Sequence, residues 1–193
     1  MLVGKKCILR SLEMGDVDTL HRLMNNWTVR KYLATSQFLS REDVVTFVQY
    51  ANEQKKKMAA FYYAIVDKES KELIGVVSLH KIDWKNRNAE FGITIWNPDY
   101  WDRGIGTDAA RVFLHYAFSE LNLHRIEGRL FEFNKRTIRL NEKLGFKLEG
   151  VLRDAFWRDG RWHNVLIMSV LANEFYEKNR GKIQELLLAQ PTL

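Results

Sequence analysis

Apolar and polar residues alternate in three runs near the middle of the chain. The runs 60–67, 72–83 and 88–96 are rich in β-branched and aromatic residues, which predicts three strands. The connecting segments KESK and WKNR are short and polar, so we expect the three strands to form an antiparallel meander. An earlier run at 5–12, KKCILRSL, predicts a first strand.

Apolar residues at helical spacing separate and follow these strands. Asp16 is placed to cap a first helix, DVDTLHRLMNN, and Ser40 with Asp43 resembles a capping box before REDVVTFVQYANEQKKK. A further helix is expected to begin at Asn134 and to stop at Gly145, the usual glycine position just past a helix end.

The last part of the chain combines one long helix with further strands. The helix is predicted to follow the meander and to end near Leu121, and the strand 124–133 comes next. The two runs that flank Asp159-Gly160 predict a hairpin with a type I′ turn. In that hairpin Trp157 and Trp162 would face each other and brace the two strands.

The order of these elements indicates one continuous α/β or α+β domain over residues 1–193. We expect its core at 5–172 and a final helix at 173–189. A single cysteine excludes a disulfide scaffold. No run approaches the roughly 18 apolar residues that a membrane span needs, and a cytoplasmic location is expected.

The charge balance points to an anionic partner. Lys+Arg exceeds Asp+Glu by 30 − 24 = +6, and the isoelectric point is near 9.4. A basic surplus of this kind favours nucleic acid, a ribosome or a phosphorylated cofactor.

The segment NPDYWDRGIGTDAARVFLHYAF carries the most informative chemistry. It places Arg103, Gly104 and Gly106 between a strand and the long helix. Glycines let the backbone approach a ligand closely, and a helix start offers unpaired N–H groups to phosphate. A tight turn without a ligand is the alternative. No Lys-Ser or Lys-Thr follows, which excludes a nucleotide P-loop, and the preceding antiparallel strands argue against a dinucleotide fingerprint.

Two spaced motifs resemble the GNAT N-acetyltransferase superfamily. The run 101–106 is similar to its coenzyme A pyrophosphate loop, [QR]-x-x-G-x-[GA], and NKRTIRLNEKLGF at 134–146 is similar to its second signature. The resemblance covers residues 5 to about 172, and the order of strands and helices agrees with it. The ending RDAFWRDGRWHNVLIMSVL is typical of the ribosomal-protein N-terminal acetyltransferases, whose relatives acetylate polyamines and other small amines.

The resemblance implies a mixed, mostly antiparallel central sheet of about seven strands flanked by helices, with acetyl-CoA as co-substrate. The thioester would lie where the strands 88–96 and 124–133 splay apart. Ile95 and Trp96 would offer backbone groups to the pantetheine arm. Asn134 would meet the coenzyme, although its residue type also suits a plain helix cap. The pyrophosphate would be held by Arg103, Gly104, Ile105, Gly106 and Thr107.

This chain departs from the family pattern at two positions. Trp101 replaces Gln or Arg at the start of the loop motif. Asn141 stands where many members carry the tyrosine that protonates the departing thiolate, and an amide has no useful acidic proton. A water, or a tyrosine such as Tyr100 or Tyr116, would have to take over that role.

Glu90 is the best candidate base, because the family often places a carboxylate on this strand. A surface ion pair with an arginine such as Arg87 is the alternative, and Asp154 is a weaker candidate base. The sequence shows no obvious pairing of a histidine with a carboxylate. The five histidines show no metal-ligand spacing, so no metal is expected, and Cys7 is expected to be a buried core thiol.

The resemblance and the amine chemistry together favour an acceptor that is a protein N-terminus. Deprotonating an α-amine of pKa about 8 at pH 7 costs only about 1 kcal/mol, whereas a lysine at about 10.4 costs roughly 4.6 kcal/mol. The leading hypothesis is therefore acetylation of a protein α-amine, with possible ribosome association and a possible homodimer. The alternatives are a small-amine acetyltransferase for polyamines or antibiotics, and a non-catalytic module that binds RNA or coenzyme A.

Overall fold

The computed structural model describes residues 1–35 and 37–188 and contains eight strands and six α-helices within those ranges. The strands are β1 Leu2–Val3, β2 Cys7–Ser11, β3 Phe61–Asp67, β4 Leu73–Asp83, β5 Asn88–Ile95, β6 Arg125–Phe131, β7 Lys147–Arg158 and β8 Arg161–Leu171. The helices are α1 Val17–Met24, α2 Trp27–Arg30, α3 Arg41–Lys56, α4 Ile105–Ser119, α5 Lys135–Leu144 and α6 Ala172–Leu188.

All eight strands form one sheet in the order β1-β2-β3-β4-β5-β6-β8-β7. Every neighbouring pair is antiparallel except β5 and β6, which run parallel. The mixed, mostly antiparallel sheet flanked by helices is confirmed, with eight strands instead of about seven. The additional strand is β1, whose two residues are too few to show an alternating pattern.

Local signals placed most elements correctly. The Ser40–Asp43 capping box is present, and Asn134 caps α5, which ends at Gly145 with φ of 100°. Positive φ at both turn residues of the β7–β8 hairpin, 51° and 74°, agrees with the predicted type I′ turn. Trp157 and Trp162 are directly paired, with ring centroids 5.1 Å apart.

Two local predictions were wrong or incomplete. Asp16 stands at the start of α1, but its carboxylate does not cap that helix; it accepts two hydrogen bonds of 2.7 Å from Arg10 and one from the Glu13 N–H. A strong charge-assisted pair on the neighbouring strand thus takes the oxygens that a cap would use. The short helix α2 had no periodic signal. The final helix predicted at 173–189 is α6, and residue 189 lies outside the described residues.

The sheet divides the apolar core into two clusters. One cluster packs α4 and α6 against one face, with Phe113, Ile126 and Phe175 among its fully buried side chains. The other packs α1 and α3 against the opposite face, around Leu20 and Val44. Because α4 is held firmly by the first cluster, its N-terminus is fixed beside the end of β5. Over the described residues, no helix is long and apolar enough to cross a membrane.

Candidate active site

The loop between β5 and α4 turns sharply through two left-handed residues. Asp102 has φ of 58° and Gly104 has φ of 79°, and Gly104 is the residue that precedes the first turn of α4. By helix geometry, the N–H groups of Ile105, Gly106 and Thr107 have no partner within the helix. These donors and the positive end of the helix dipole make the loop suited to bind a diphosphate.

The connection between β1 and β2 holds this loop in place. Lys6 Nζ donates to the carbonyl oxygen of Arg103 at 2.6 Å, and the Lys6 N–H donates to Asp108 Oδ2 at 2.7 Å. Cys7 lies beside the same carboxylate and is fully buried, as predicted for a core thiol. Burial, with the Asp108 charge next, raises the pKa of the Cys7 thiol far above its ordinary value, so the thiol is inert at neutral pH.

The strands β5 and β6 pair only at their beginnings. Their parallel ladder runs from Asn88–Arg125 to Glu90–Glu127 and ends there. Residues 91–95 of β5 and 128–131 of β6 therefore continue without pairing to each other, and we call the space between them the strand gap. Main-chain groups along the gap are available to a ligand that lies between the two strands.

A cleft with a volume of about 220 Å³ opens beside residues 93–95. It joins the end of β5, the loop before α4, the start of α5 and the segment that contains α2. The residues that line it are Val29, Tyr32, Leu33, Ile93, Thr94, Ile95, Tyr100, Trp101, Asp102, Gly104, Gly106, Thr107, Asn134, Arg136, Thr137, Arg139, Leu140 and Lys143.

One wall of the cleft is cationic. Arg136, Arg139 and Lys143 all project into it from α5. The Arg136 hydrogen bond, and then the charges of Arg136, Arg139 and Lys143, hold the pKa of Asp102 below its ordinary value, so all three cations lie close to the loop. One helical face carries residues 136, 139, 140 and 143, because residues three and four apart lie on the same side of a helix. This spacing in the sequence indicates the row of cations, although the sequence analysis did not identify it.

The predicted loop residues are brought together, but not all through their side chains. Gly104, Gly106 and Thr107 line the cleft. Ile105 is buried in the core, so only its backbone is available. The Arg103 guanidinium lies over the Tyr100 ring, 5.3 Å from its centroid, and does not line the cleft.

The remaining predicted coenzyme contacts are at the end of β5 and the start of α5. Ile95 lines the cleft, but its carbonyl oxygen already accepts a 2.8 Å hydrogen bond from Trp101 Nε1. Trp96 is buried, and its backbone N–H donates to the carbonyl oxygen of Ile74, outside the cleft. Asn134 lines the cleft, and its Oδ1 accepts the Thr137 N–H and so caps α5. The cap is confirmed, and the contact with the coenzyme stays a prediction.

Trp101, the first departure from the family pattern, has a structural role. Besides its bond to Ile95, its ring stacks under Arg136, 4.2 Å from the ring centroid to the guanidinium carbon. Arg136 in turn forms an ion pair of 3.0 Å with Asp102. The indole therefore ties the end of β5, the loop and α5 together.

Glu90 lies on β5 at the edge of the strand gap, among cations. Its carboxylate is 2.7 Å from Lys81 Nζ and 3.7 Å from Arg129 Nε. Burial alone would raise its pKa, but the Lys81 hydrogen bond and the neighbouring positive charges hold the pKa below its ordinary value. The suggested ion pair with Arg87 does not form, since Arg87 instead binds Asn122.

The expectation that no histidine pairs with a carboxylate is wrong. His80 Nε2 lies 3.3 Å from Glu90 Oε1, and His163 Nδ1 lies 3.6 Å from Glu132 Oε1. His80 and Glu90 are direct partners across β4 and β5. The short WKNR connection brings β4 and β5 together, but the register shifts between His80 and Asp83, so the sequence did not indicate this pairing.

The candidate tyrosines do not present a free hydroxyl to the strand gap. Tyr100 lines the cleft, but its hydroxyl is 2.9 Å from both Ser70 and Glu72. Tyr116 packs among Phe61, Tyr63 and Phe113 on the far part of α4. Asp154, the weaker candidate base, is exposed on β7 and is not among the residues that line the cleft.

Tyr32 is a cleft residue that the sequence analysis missed. It follows α2, and its ring packs edge-on to Trp101 with centroids 6.0 Å apart. A four-residue helix and a polar loop gave no periodic pattern that would have identified it.

A model of the acetyltransferase (GNAT) domain matches residues 6–147. The chain belongs to the GNAT acetyltransferase family. It is 30% identical to the spermidine N(1)-acetyltransferase of Vibrio cholerae, over 92% of this chain and 99% of that protein. It is 36% identical to a Bacillus subtilis protein named "Putative ribosomal N-acetyltransferase YdaF", over 90% of this chain and 95% of that one.

A solved structure agrees with the fold. The crystal structure of spermidine N-acetyltransferase from Vibrio cholerae in complex with CoA and spermine matches with a TM-score of 0.78 and 30% identity, over 88% of this chain and 98% of that one. The GNAT chain is thus an N-acetyltransferase that takes acetyl-CoA as co-substrate. Unpaired N–H groups on one side of the cleft and three α5 cations on the other fit the phosphates of that molecule. No group of metal-ligating side chains occurs in the described part of the chain.

Proposed function

We infer that this GNAT enzyme acetylates the α-amino group of a peptide or protein N-terminus. The observation that carries this proposal is the charge of the described side chains that line the cleft. Asp102 is the only carboxylate among them and is paired with Arg136, whereas Arg139 and Lys143 are further cations of the same lining. Val29, Tyr32 and Leu33, from the segment that contains α2, add an apolar and aromatic wall. A polyamine would bring several positive charges to this cleft, where the cations would repel it and no unpaired carboxylate of the lining would attract it.

The state of Glu90 supports the same acceptor. Its negative charge is offset by Lys81 and Arg129, so it offers little attraction to a polycation. Its lowered pKa also makes it a weak base. A weak base suffices for an α-amine, whose deprotonation at pH 7 costs about 1 kcal/mol, but not for an amine near pKa 10.4.

The roles of the site residues follow from their places. The N–H groups of Gly104, Ile105, Gly106 and Thr107 would hold the pyrophosphate, with Arg103 adding positive charge nearby and α5 supplying the opposing cations. The N–H groups of β5 along the strand gap would stabilise negative charge on the thioester carbonyl oxygen. Acetyl-CoA supplies the activated acyl group. Glu90 would take up the proton of the attacking amine, directly or through a water.

A second candidate is acetylation of a small amine. It is favoured by the 30% identity to the spermidine N(1)-acetyltransferase of Vibrio cholerae over nearly the full length of both chains. The 36% identity to the protein named for ribosomal acetylation weighs on the other side.

An acceptor panel tests the proposal. The protein is mixed with acetyl-CoA and one acceptor at a time, while thiol release and the product mass are followed. The acceptors are unblocked peptides, the same peptides with a blocked N-terminus and an internal lysine, free spermidine, and free spermine. We expect acetylation of the unblocked peptides at the α-amine and a much lower kcat/KM for the other acceptors. A higher kcat/KM for spermidine than for every peptide would establish the second candidate. Coenzyme A binding without thiol release on any amine would show a non-catalytic module.

A further inference from the structure

The apex of the strand gap has a defined position. Glu90 and Glu127 form the last pair of the ladder, so Phe91 and Gly128 are the first residues of β5 and β6 that do not pair. Any group that sits between these two residues lies at the point where the strands begin to separate.

Gly128 leaves room for one heavy atom at this apex. A Cβ built on Gly128 would lie 3.5 Å from Leu130 Cδ1, 3.6 Å from Asn141 Oδ1 and 3.9 Å from the Phe91 carbonyl oxygen. These are ordinary contact distances, and two of the three neighbours are hydrogen-bond acceptors. A methyl group on Gly128 would therefore fit without a clash, and the atoms around that position include two acceptors that can pair with a nearby water.

Asn141 aims an unpaired acceptor at the same place. The residue is 2% exposed, and its Nδ2 donates to the Thr137 carbonyl oxygen at 2.9 Å. Its Oδ1 is buried and accepts a hydrogen bond from no group in the described residues. Buried acceptors in folded proteins are paired in the great majority of cases, so this oxygen is a favourable place for a small donor. Where many family members carry a tyrosine that can donate a proton, Asn141 offers an oxygen that can accept a hydrogen bond.

We propose that Gly128, Asn141 and the Phe91 carbonyl form a water site, and that this water donates a hydrogen bond to the sulfur of the departing thiolate. The proposal rests on the thioester lying in the strand gap, as in the proposed function. A water has two O–H donors; one remains on Asn141 Oδ1 while the other turns from the Phe91 carbonyl to the sulfur.

The step balances without an acidic side chain. The amine nitrogen forms a bond to the acyl carbon, the carbon–sulfur bond breaks, and its electron pair goes to sulfur. The amine proton leaves through Glu90 to solvent. The thiolate, whose thiol has a pKa of about 8.5 if it resembles cysteine, takes its proton from solvent at neutral pH. The bound water stabilises the negative sulfur and is itself unchanged.

Gly128→Ala tests the site, because its methyl group would take the place of the water while making only ordinary contacts. We expect kcat to fall about 10- to 100-fold, the effect of losing a hydrogen bond to a charged group, with an unchanged Kd for coenzyme A. Gly150→Ala on β7 is the matched control, since nothing lies within 4 Å of its Cβ, and it should change neither value. A Gly128→Ala enzyme with the kcat of the wild type would overturn the proposal.

A high-resolution crystal structure of the protein without substrates gives a second readout that does not depend on activity. We expect an ordered water within hydrogen-bond distance of Asn141 Oδ1 in the wild type, and its loss in Gly128→Ala. Protein atoms paired with Oδ1 in place of the water would overturn the site. Failure of acetyl transfer with every amine would instead contradict the proposed function and the role of the water at sulfur. The crystal structure would still decide whether the water is bound.

Discussion

His80 Nε2 lies 3.3 Å from Glu90 Oε1, and the two residues stand directly opposite each other on β4 and β5. The other carboxylate oxygen, Oε2, accepts a 2.7 Å hydrogen bond from Lys81 Nζ. His80 Nδ1 is buried and has no hydrogen-bond partner among the residues that the structure describes. The carboxylate, the Lys81 ammonium and the His80 ring therefore form one polar unit beside the strand gap.

Replacing Glu90 tests whether this unit takes up the amine proton. We expect Glu90→Gln to lower kcat/KM for a peptide acceptor about 100-fold, because an amide cannot accept the proton. The Kd for coenzyme A, measured by calorimetry, should not change. Glu53→Gln, which alters an exposed glutamate paired with Lys57 on α3, is the control and should leave turnover intact. Wild-type turnover in Glu90→Gln would reject Glu90 as the base.

The pH dependence of kcat/KM should follow the amine and not Glu90. Because the Glu90 pKa is lowered overall, its carboxylate is ionised throughout the range in which the enzyme would be assayed. An α-amine is reactive only when neutral, so kcat/KM should rise about tenfold per pH unit up to about pH 8. The inflection should move when acceptors of different pKa are compared. An inflection that stays fixed across acceptors would show that an enzyme group controls the profile.

The same pKa shift has a consequence for stability. A carboxyl whose folded pKa is depressed stabilises the fold above its unfolded pKa, and this contribution is lost as the pH falls through the folded pKa. Glu90 therefore contributes to stability at neutral pH and loses that contribution only under acidic conditions. The free energy of unfolding, measured with urea, should therefore fall more on acidification for the wild type than for Glu90→Gln.

Periodicity and capping signals predicted most of the fold. The arrangement of side chains at the site could not be predicted from them, because it depends on the tertiary structure. The three meander strands and α5 follow from alternation, from the Asn134 cap and from Gly145. The short elements β1 and α2 were not predicted, because segments of two and four residues are too short to show a periodic pattern. The pairing of His80 with Glu90 depends on a strand register that shifts between His80 and Asp83, and no local signal fixes such a shift.

The phosphate-binding role of the α5 cations makes a prediction that separates two arginines. Arg139→Glu should raise the Kd for coenzyme A about 10- to 100-fold, since Arg139 lines the cleft and a reversed charge would face the phosphates. Arg103→Glu should have a smaller effect, because its guanidinium lies on Tyr100. Arg161→Glu, at the exposed end of the β7–β8 hairpin, should have none. A larger effect at Arg103 than at Arg139 would place the phosphates on the other side of the loop.

The left-handed conformation of Gly104 makes the last prediction, in which one type of substitution has opposite effects at two places. Gly104 has φ of 79°, and the only atom near an added Cβ would be Lys6 Nζ at 3.6 Å, so alanine there is opposed by backbone strain and not by crowding. We expect Gly104→Ala to lower the free energy of unfolding by about 1–2 kcal/mol. Gly181 lies within α6 with nothing within 4 Å of its Cβ, and Gly181→Ala should raise that free energy by about 0.5–1 kcal/mol. Urea unfolding measures both.

Gly104→Ala should also weaken coenzyme A binding, because relief of the strain turns the N–H groups that begin α4, whereas Gly181→Ala should not. Wild-type stability and affinity in Gly104→Ala would mean that the loop does not need the left-handed turn, and that the diphosphate is held elsewhere.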